Sequence, residues 1–263
     1  MNDRATTESC PPINRPELER FFTGLGARIK EADCSSRVRE SDVERFFSVI
    51  KLKVEPQRRL QDRKLATHFN VFDFIQPDEN RLSDVLAWLL DPHETHGQGD
   101  LFLGLMFKQL GLVSSKTTDA KVQREAPTHG IEKYRRRMDV LVEAGAWLVI
   151  ENKVDSSEQP EQVKDYLEHL HRCSGGRKHT LIYLTPNGRP PESLSSAKLE
   201  ENEESGQLHC WSYQVELRQW LDVCRKECEA QKIKIFLTDF ISYTETHLKR
   251  ETNNESEREN DDK

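Results

Sequence analysis

The chain has 263 residues, 35% hydrophobic and 32% charged, enough for one large domain or two small ones with a substantial core. No opening stretch joins a basic start to an apolar run of secretory length, and no run of about 18 apolar residues occurs, so no membrane partner and a cytoplasmic location are expected. A net charge of -7 argues at first against a nucleic-acid partner.

The acidic excess is local, however. The tail 251–263 and the Glu/Ser-rich stretch 192–205 each carry a net charge of -4, and without them the body of the chain is near neutral. The six cysteines (Cys10, Cys34, Cys173, Cys210, Cys224, Cys228) show no paired C-x-x-C spacing of the zinc-binding kind, and reduced thiols are expected.

Residues 1 to about 15 are polar and Pro-bearing and are expected to fray. Helical spacing follows at Leu18, Phe21, Phe22, Leu25 and Ile29, and Ser41 with Glu44 resembles a capping box before Val43, Phe46, Phe47 and Ile50. Residues 1–68 thus read as a helical lead-in. A stronger helix starts at Asp78, a plausible N-cap after Pro77. Leu82, Val85, Leu86, Leu89 and Leu90 form its apolar stripe, and Pro92 ends it. Glu79 lies on the buried side of its first turn. The Gly-rich "HETHGQGD" (93–100) is a loop, and another short helix follows.

Beyond Ser114 the periodicity changes. "KVQREAP", "RRMDVLVEA", "WLVIENKV" and "HTLIYLTP" read as four strands, with a helix over 157–173 between the third and fourth. "CWSY" reads as a further short strand, and amphipathic helices are predicted over 215–230 and 233–248. The order implies an α/β fold with a mixed sheet over residues 69–248, with extra helices at both ends and a disordered acidic tail over 249–263.

Placing the second hairpin's turn at Ala144-Gly145-Ala146 pairs Glu143 with Trp147 and sets Asp139 opposite Glu151. Alternation then puts Asp139, Glu151 and Lys153 on one face. Opposed strand residues have β-carbons about 4.5–5.5 Å apart, so the two carboxylates would repel unless a cation joined them. A hard divalent ion, Mg²⁺ or Mn²⁺, takes carboxylates, carbonyls such as that of Asn152, water and phosphate. With Lys153 on the same face to handle a water or a developing charge, the cluster has the parts of a metal-assisted phosphodiester hydrolase. An ordinary ion-pair cluster, with Lys153 neutralising one acid, uses the same residues. The basic run "KYRRR" (133–137) adjoins Asp139, and its Arg136 and Arg137 are expected to meet substrate phosphates.

Asp139 followed by Glu151-Asn152-Lys153 after an apolar strand resembles the D…(D/E)-x-K signature of the PD-(D/E)XK nuclease superfamily, whose restriction-endonuclease-like αβββαβ core matches the order above. Glu79 matches the acidic residue that many members supply from the first core helix. Gln162-Val163-Lys164-Asp165-Tyr166 matches a Q-x-x-x-Y element on the helix after the E-x-K strand, and residues 79–103 look like the opening of one prokaryotic subgroup. Met138 stands where the eponymous proline would be, a position that supplies no ligand. The resemblance implies a Mg²⁺- or Mn²⁺-dependent nuclease acting on DNA, with a role in defence or DNA processing. Asp139, Glu151, Asn152 and Glu79 would serve the metal, Lys153 and Gln162 would assist catalysis, and Tyr166, Arg136 and Arg137 would meet the substrate.

Gln162 and Tyr166 also fit a polar cap on a helix whose core stripe is Val163, Tyr166, Leu167 and Leu170. Glu125 on the first strand is an extra candidate. His93 and His96 are expected to serve turns and caps, not zinc. A silent nuclease-fold module that only binds nucleic acid or protein is the rival reading, and a docking role for the C-terminal helices is a second.

Overall fold

The computed structural model describes residues 68–112, 116–128, 136–154 and 156–248, together with residues 48, 62–64 and 66. The chain divides into two compact units, Met1–Phe69 and Asn70–Lys263. In the first, Ser48 and residues 62–64 are helical, and the helices expected near 18–29 and 41–50 otherwise lie outside the described residues, as does the acidic tail.

The second unit opens with helices α1 (Val71–Ile75), α2 (Glu79–Leu90) and α3 (Leu101–Gln109). Strands β1 (Lys121–Pro127), β2 (Arg137–Glu143) and β3 (Trp147–Asn152) come next, followed by α4 (Gln162–Cys173), β4 (His179–Thr185), α5 (Ser196–Glu204) and β5 (Leu208–Ser212). A π-helical turn (Tyr213–Leu217) leads into α6 (Arg218–Glu227) and α7 (Gln231–His247). The five strands form one sheet in sequential order, antiparallel from β1 to β3 and parallel from β3 to β5. This is the mixed α/β architecture expected from the order of elements.

Each face of the sheet buries a separate core. Asp78 caps α2 by accepting from Arg81 N–H at 2.8 Å, which directs Leu82, Leu86, Leu89 and Leu90 inward. They join Val140, Val142, Leu148 and Ile150 of the strands and Leu217, Trp220, Leu221, Leu237 and Phe240 of the C-terminal segments. The apolar faces of α6 and α7 therefore pack into the core. On the opposite face Val163, Tyr166 and Leu170 of α4 cover Leu141, Trp147, Val149, Leu181 and Tyr183. Every residue of β3 is buried, as befits a central strand covered on both sides.

Three elements depart from expectation. Helix α4 begins at Gln162 and not at 157, because Glu161 adopts φ 61° and the preceding segment is held away from helix by Arg136, which donates to Pro160 O and Gln159 Oε1. Within the acidic stretch 192–205, for which no element was expected, residues 196–204 form α5, an outlying helix with no buried residue and hence no apolar stripe to reveal it. The first C-terminal helix starts with a π turn, and Ser212 caps it through Val215 N–H at 3.0 Å.

The hairpin register is the expected one. Glu143 pairs with Trp147, and the β2–β3 ladder runs to Val140 opposite Ile150. Alternation holds along this stretch and resets at Asp139. The β1–β2 register is continuous from Lys121–Glu143 to Pro127–Arg137 but skips the Glu125–Asp139 pair, and Glu125 adopts φ 49°. Past it, Ala126 and Met138 pack on the α4 side, whereas Val122, Val140 and Val142 lie on the α2 side.

Candidate active site

The E-x-K segment ends β3 between the two cores. Glu151 is 1% exposed and Lys153 7%, so both charges have left bulk water. Glu151 Oε1 receives Lys153 Nζ at 2.9 Å and Gln162 Nε2 at 2.6 Å. Its other oxygen, Oε2, is buried and accepts no hydrogen bond from any described residue. An unpaired carboxylate oxygen in such a place costs about 1–3 kcal/mol and calls for a partner.

The Q-x-x-x-Y pair is part of this arrangement. Gln162 Nε2 also touches Tyr166 Oη at 2.9 Å, Gln162 Oε1 accepts from Gln159 N–H at 3.1 Å, and Tyr166 donates to Arg137 O at 2.6 Å. Gln162 thus addresses Glu151, and the tyrosine ring fills the α4-side core at the same time. The two sequence readings of this helix are compatible because Tyr166 has an apolar body and a polar tip.

Asp139 holds the other strand. Its Oδ2 accepts from Asn152 N–H at 2.8 Å, where the backbone ladder has ended. Its carbonyl, which the skipped pairing leaves without a ladder partner on β1, receives the guanidinium of Arg124. Arg124 also donates to Asn80 O at 3.1 Å and pairs with Asp84 at 2.8 Å, tying β1 and β2 to the first turn of α2. Asn152 itself is fully buried. Its amide nitrogen donates to Glu79 O and Ser83 Oγ, both at 3.1 Å, and its Oδ1 accepts from Tyr213 Oη at 2.9 Å.

Glu79 reaches the same region with a different allegiance. Its carboxylate accepts from Val154 N–H at 2.9 Å, Ser156 N–H at 3.3 Å and the Ser156 hydroxyl at 2.7 Å, so it holds the segment that leaves β3. Of the two arginines, Arg136 is buried, ion-paired to Asp165 and bound to Gln159 and Pro160, which places it at the root of α4. Arg137 is exposed beside Glu125 at 2.9 Å, so the extra candidate Glu125 serves as its surface partner. Lys133, Tyr134 and Arg135 lie outside the described residues. The two loop histidines stay apart from the cluster. His96 is buried, with Nε2 at 2.9 Å from Asp91 O and Nδ1 accepting from Gln98 N–H at 3.0 Å, and so pins its own loop, while exposed His93 pairs with Asp91. Cys173, Cys210, Cys224 and Cys228 are free thiols.

Electrostatics explain why a cation would bind here. Burial first, then repulsion from Asp139, pushes the Glu151 carboxyl up to about 8, although Lys153 and Tyr166 pull the other way. Asp139 is raised too, chiefly by burial, with Asn152 N–H and Lys153 opposing. Burial alone would lower Lys153, but Glu151, Glu79 and Asp139 together outweigh it and hold the ammonium above its ordinary value. Even with the lysine in place, both buried acids are thus pushed toward their protonated forms, and a bound cation would relieve that by stabilising the two carboxylates. Among the described residues no three His, Cys, Asp or Glu side chains form a ready metal cage. The donor set fits a hard ion that uses two carboxylates and completes its shell with a carbonyl, water and substrate oxygens. It does not fit a closed zinc site.

A mixed sheet whose E-x-K strand end gathers an aspartate, a glutamate, a lysine and the glutamine of the following helix is the design of a restriction-endonuclease-like fold. A family profile for the PD-(D/E)XK nuclease superfamily matches residues 69–242, and the chain belongs to that superfamily. No curated protein and no solved structure matches the chain. Nuclease membership implies a nucleic-acid substrate, and members of the superfamily generally use divalent metals. No helix among the described residues is long and apolar enough to cross a membrane.

Several residues here carry no motif in the sequence. Arg124, Ser83, Asp165, Ser156 and Tyr213 act through contacts distant in the chain. A polar residue inside an apolar pattern, such as Ser83 between Leu82 and Val85, was the one available signal.

Proposed function

We propose that the protein is a Mg²⁺- or Mn²⁺-dependent deoxyribonuclease acting in the cytoplasm, in defence against foreign DNA or in DNA processing. The observation that carries this reading is the orphan Oε2 of Glu151, buried beside Asp139 with Lys153 on the opposite oxygen. An ion pair alone accounts for Lys153 and Oε1 and leaves Oε2 unexplained. Asp139, Glu151 and the Asn152 carbonyl would hold the ion, whose chemistry is to activate water and to offset charge on the scissile phosphate. Glu79 assists by holding the segment after β3 against α2. Lys153 supplies a fixed ammonium that orients a water or a phosphate oxygen and balances the charge that builds in the transition state. Gln162 keeps the Glu151 carboxylate in one rotamer, and Tyr166 braces Gln162. Arg137, exposed next to Asp139, meets the substrate backbone; Arg136 reaches substrate only through the loop it holds. The choice of DNA follows the superfamily resemblance.

The test is incubation of purified protein with single-stranded, double-stranded and nicked DNA and with RNA, in Mg²⁺, Mn²⁺ or EDTA, beside Lys153→Ala. Metal-dependent cleavage of DNA that disappears in the variant is expected. Cleavage of RNA alone would overturn the choice of substrate, and equal rates for wild type and variant would overturn the site.

A further inference from the structure

The residue between the glutamate and the lysine of E-x-K is held by a buried polar string from outside its strand. Tyr213 Oη, Asn152 and Ser83 are joined at 2.9 and 3.1 Å, and Ser83 Oγ continues to Glu79 O at 2.9 Å. Tyr213, Asn152 and Ser83 are each 0% exposed. The polarity of the string is determined from its Glu79 end. Glu79 O can only accept, so Ser83 donates to it and in turn accepts from Asn152 Nδ2. That turns Oδ1 of Asn152 toward Tyr213, whose hydroxyl must donate. Every donor and acceptor of the side-chain amide is therefore used, a condition under which a buried polar group specifies one arrangement.

The elements involved are far apart. Tyr213 follows β5, and β4 lies between that strand and β3. The wide π turn at Tyr213–Leu217 starts where the hydroxyl crosses this gap, and π turns inside helical segments often mark functional positions. The peptide that the amide holds is the one whose N–H donates to Asp139 Oδ2.

We propose that Tyr213 and Ser83 are positioning residues of the cation site: by gripping both ends of the Asn152 side-chain amide they fix the backbone of this residue, and with it the aim of the Asn152 carbonyl and, through the Asn152 N–H, of the Asp139 carboxylate. This rests on the cation-binding reading above. Residues that orient ligands typically change metal affinity by about 10- to 100-fold when lost.

The test measures Mn²⁺ dissociation constants by electron paramagnetic resonance of free Mn²⁺, with thermal unfolding alongside, for wild type, Tyr213→Phe, Ser83→Ala and Trp220→Phe. Trp220 donates to Phe102 O at 3.0 Å in the same core, and among the described residues its side chain makes no hydrogen bond to Tyr213, Asn152 or Ser83. Tyr213→Phe is expected to bind Mn²⁺ about tenfold more weakly, and Ser83→Ala to move the same way by a smaller factor. Trp220→Phe is expected to lower the melting temperature and leave the constant unchanged. Folded Tyr213→Phe that binds within about twofold of wild type overturns the inference, as does equal weakening in Trp220→Phe, which would signal general loosening. If Tyr213→Phe does not fold, Ser83→Ala is judged by the same criterion. Wild type that binds no Mn²⁺ overturns the cation-binding reading itself, and the inference with it; binding by wild type that Tyr213→Phe and Ser83→Ala both retain overturns the inference alone.

Discussion

The two ends of the β2–β3 hairpin are built from the same strands and serve opposite purposes. At the closed end backbone binds backbone: Ala144 N–H donates to Ala146 O at 3.1 Å and Gly145 N–H to Lys116 O at 2.9 Å. At the open end side chains complete what the ladder leaves, with Asp139 accepting from Asn152 and Arg124 donating to the Asp139 carbonyl. Both ends hold an orphan polar atom, Trp147 Nε1 at one and Glu151 Oε2 at the other. A neutral indole N–H under the Arg177 guanidinium is a small liability, whereas a carboxylate oxygen repelled by a second acid is a large one. The larger cost falls at the open end, which carries the superfamily signature.

The largest break in this comparison is expected from Asp139→Asn and Glu151→Gln. Each keeps the size and hydrogen-bonding reach of the side chain and removes the charge. Nuclease rates should fall by at least about a hundredfold, the upper range for residues that merely support a ligand. Calorimetry checks the companion effect. Metal at about 100 times its dissociation constant stabilises a native state by about 2.7 kcal/mol, and that gain should be present in wild type and absent in both variants.

Next in size is Gln162→Leu, which takes from Glu151 its hydrogen bond at 2.6 Å and leaves the acid freer to turn. A rate loss of about 10- to 100-fold is expected, read by initial-rate kinetics with melting temperature as the fold control. Arg124→Gln comes third. It frees the Asp139 carbonyl and unties α2, so urea unfolding should show a loss of about 1–3 kcal/mol, together with slower cleavage.

The legibility of these parts in the sequence follows their range along the chain. Local signals were clear: Asp78 as a cap, the leucine stripe of α2, the three-residue turn that sets Glu143 against Trp147, and Gln162 and Tyr166 one turn apart. The correct turn length carries the register as far as Val140 opposite Ile150; the expected Asp139–Glu151 pair lies beyond the end of the ladder, where Asp139 turns to Asn152 N–H instead. What escaped depends on distant partners. Arg124 reaches Asn80 across 44 residues, Tyr213 reaches Asn152 across 61, and Arg136 reaches Asp165 across 29. No periodicity records such contacts. The basic run looked like one substrate-facing patch, yet burial divides Arg136 from Arg137. Alternation also cannot anticipate a reset like that at Glu125 and Asp139, which follows from one left-handed residue.

Two smaller effects sharpen the contrast. Trp147→Phe at the closed end removes the orphan N–H and part of the core, so stability should change by at most about 1.5 kcal/mol with cleavage unaffected. Glu125→Gly relieves a left-handed backbone at the open end, worth about 1–2 kcal/mol, against a glycine entropy cost of about 0.5–1 kcal/mol and the loss of an exposed pair with Arg137, so thermal unfolding should show a gain below about 1 kcal/mol.

The most direct measurement is an anomalous difference map from a crystal soaked in Mn²⁺. A peak is expected at the open end of the hairpin, within about 2.0–2.6 Å of Glu151 Oε2 and of an Asp139 oxygen, the range of hard cation–oxygen bonds. An intact Glu151–Lys153 pair with no peak beside it, in protein that cleaves DNA, would contradict that expectation.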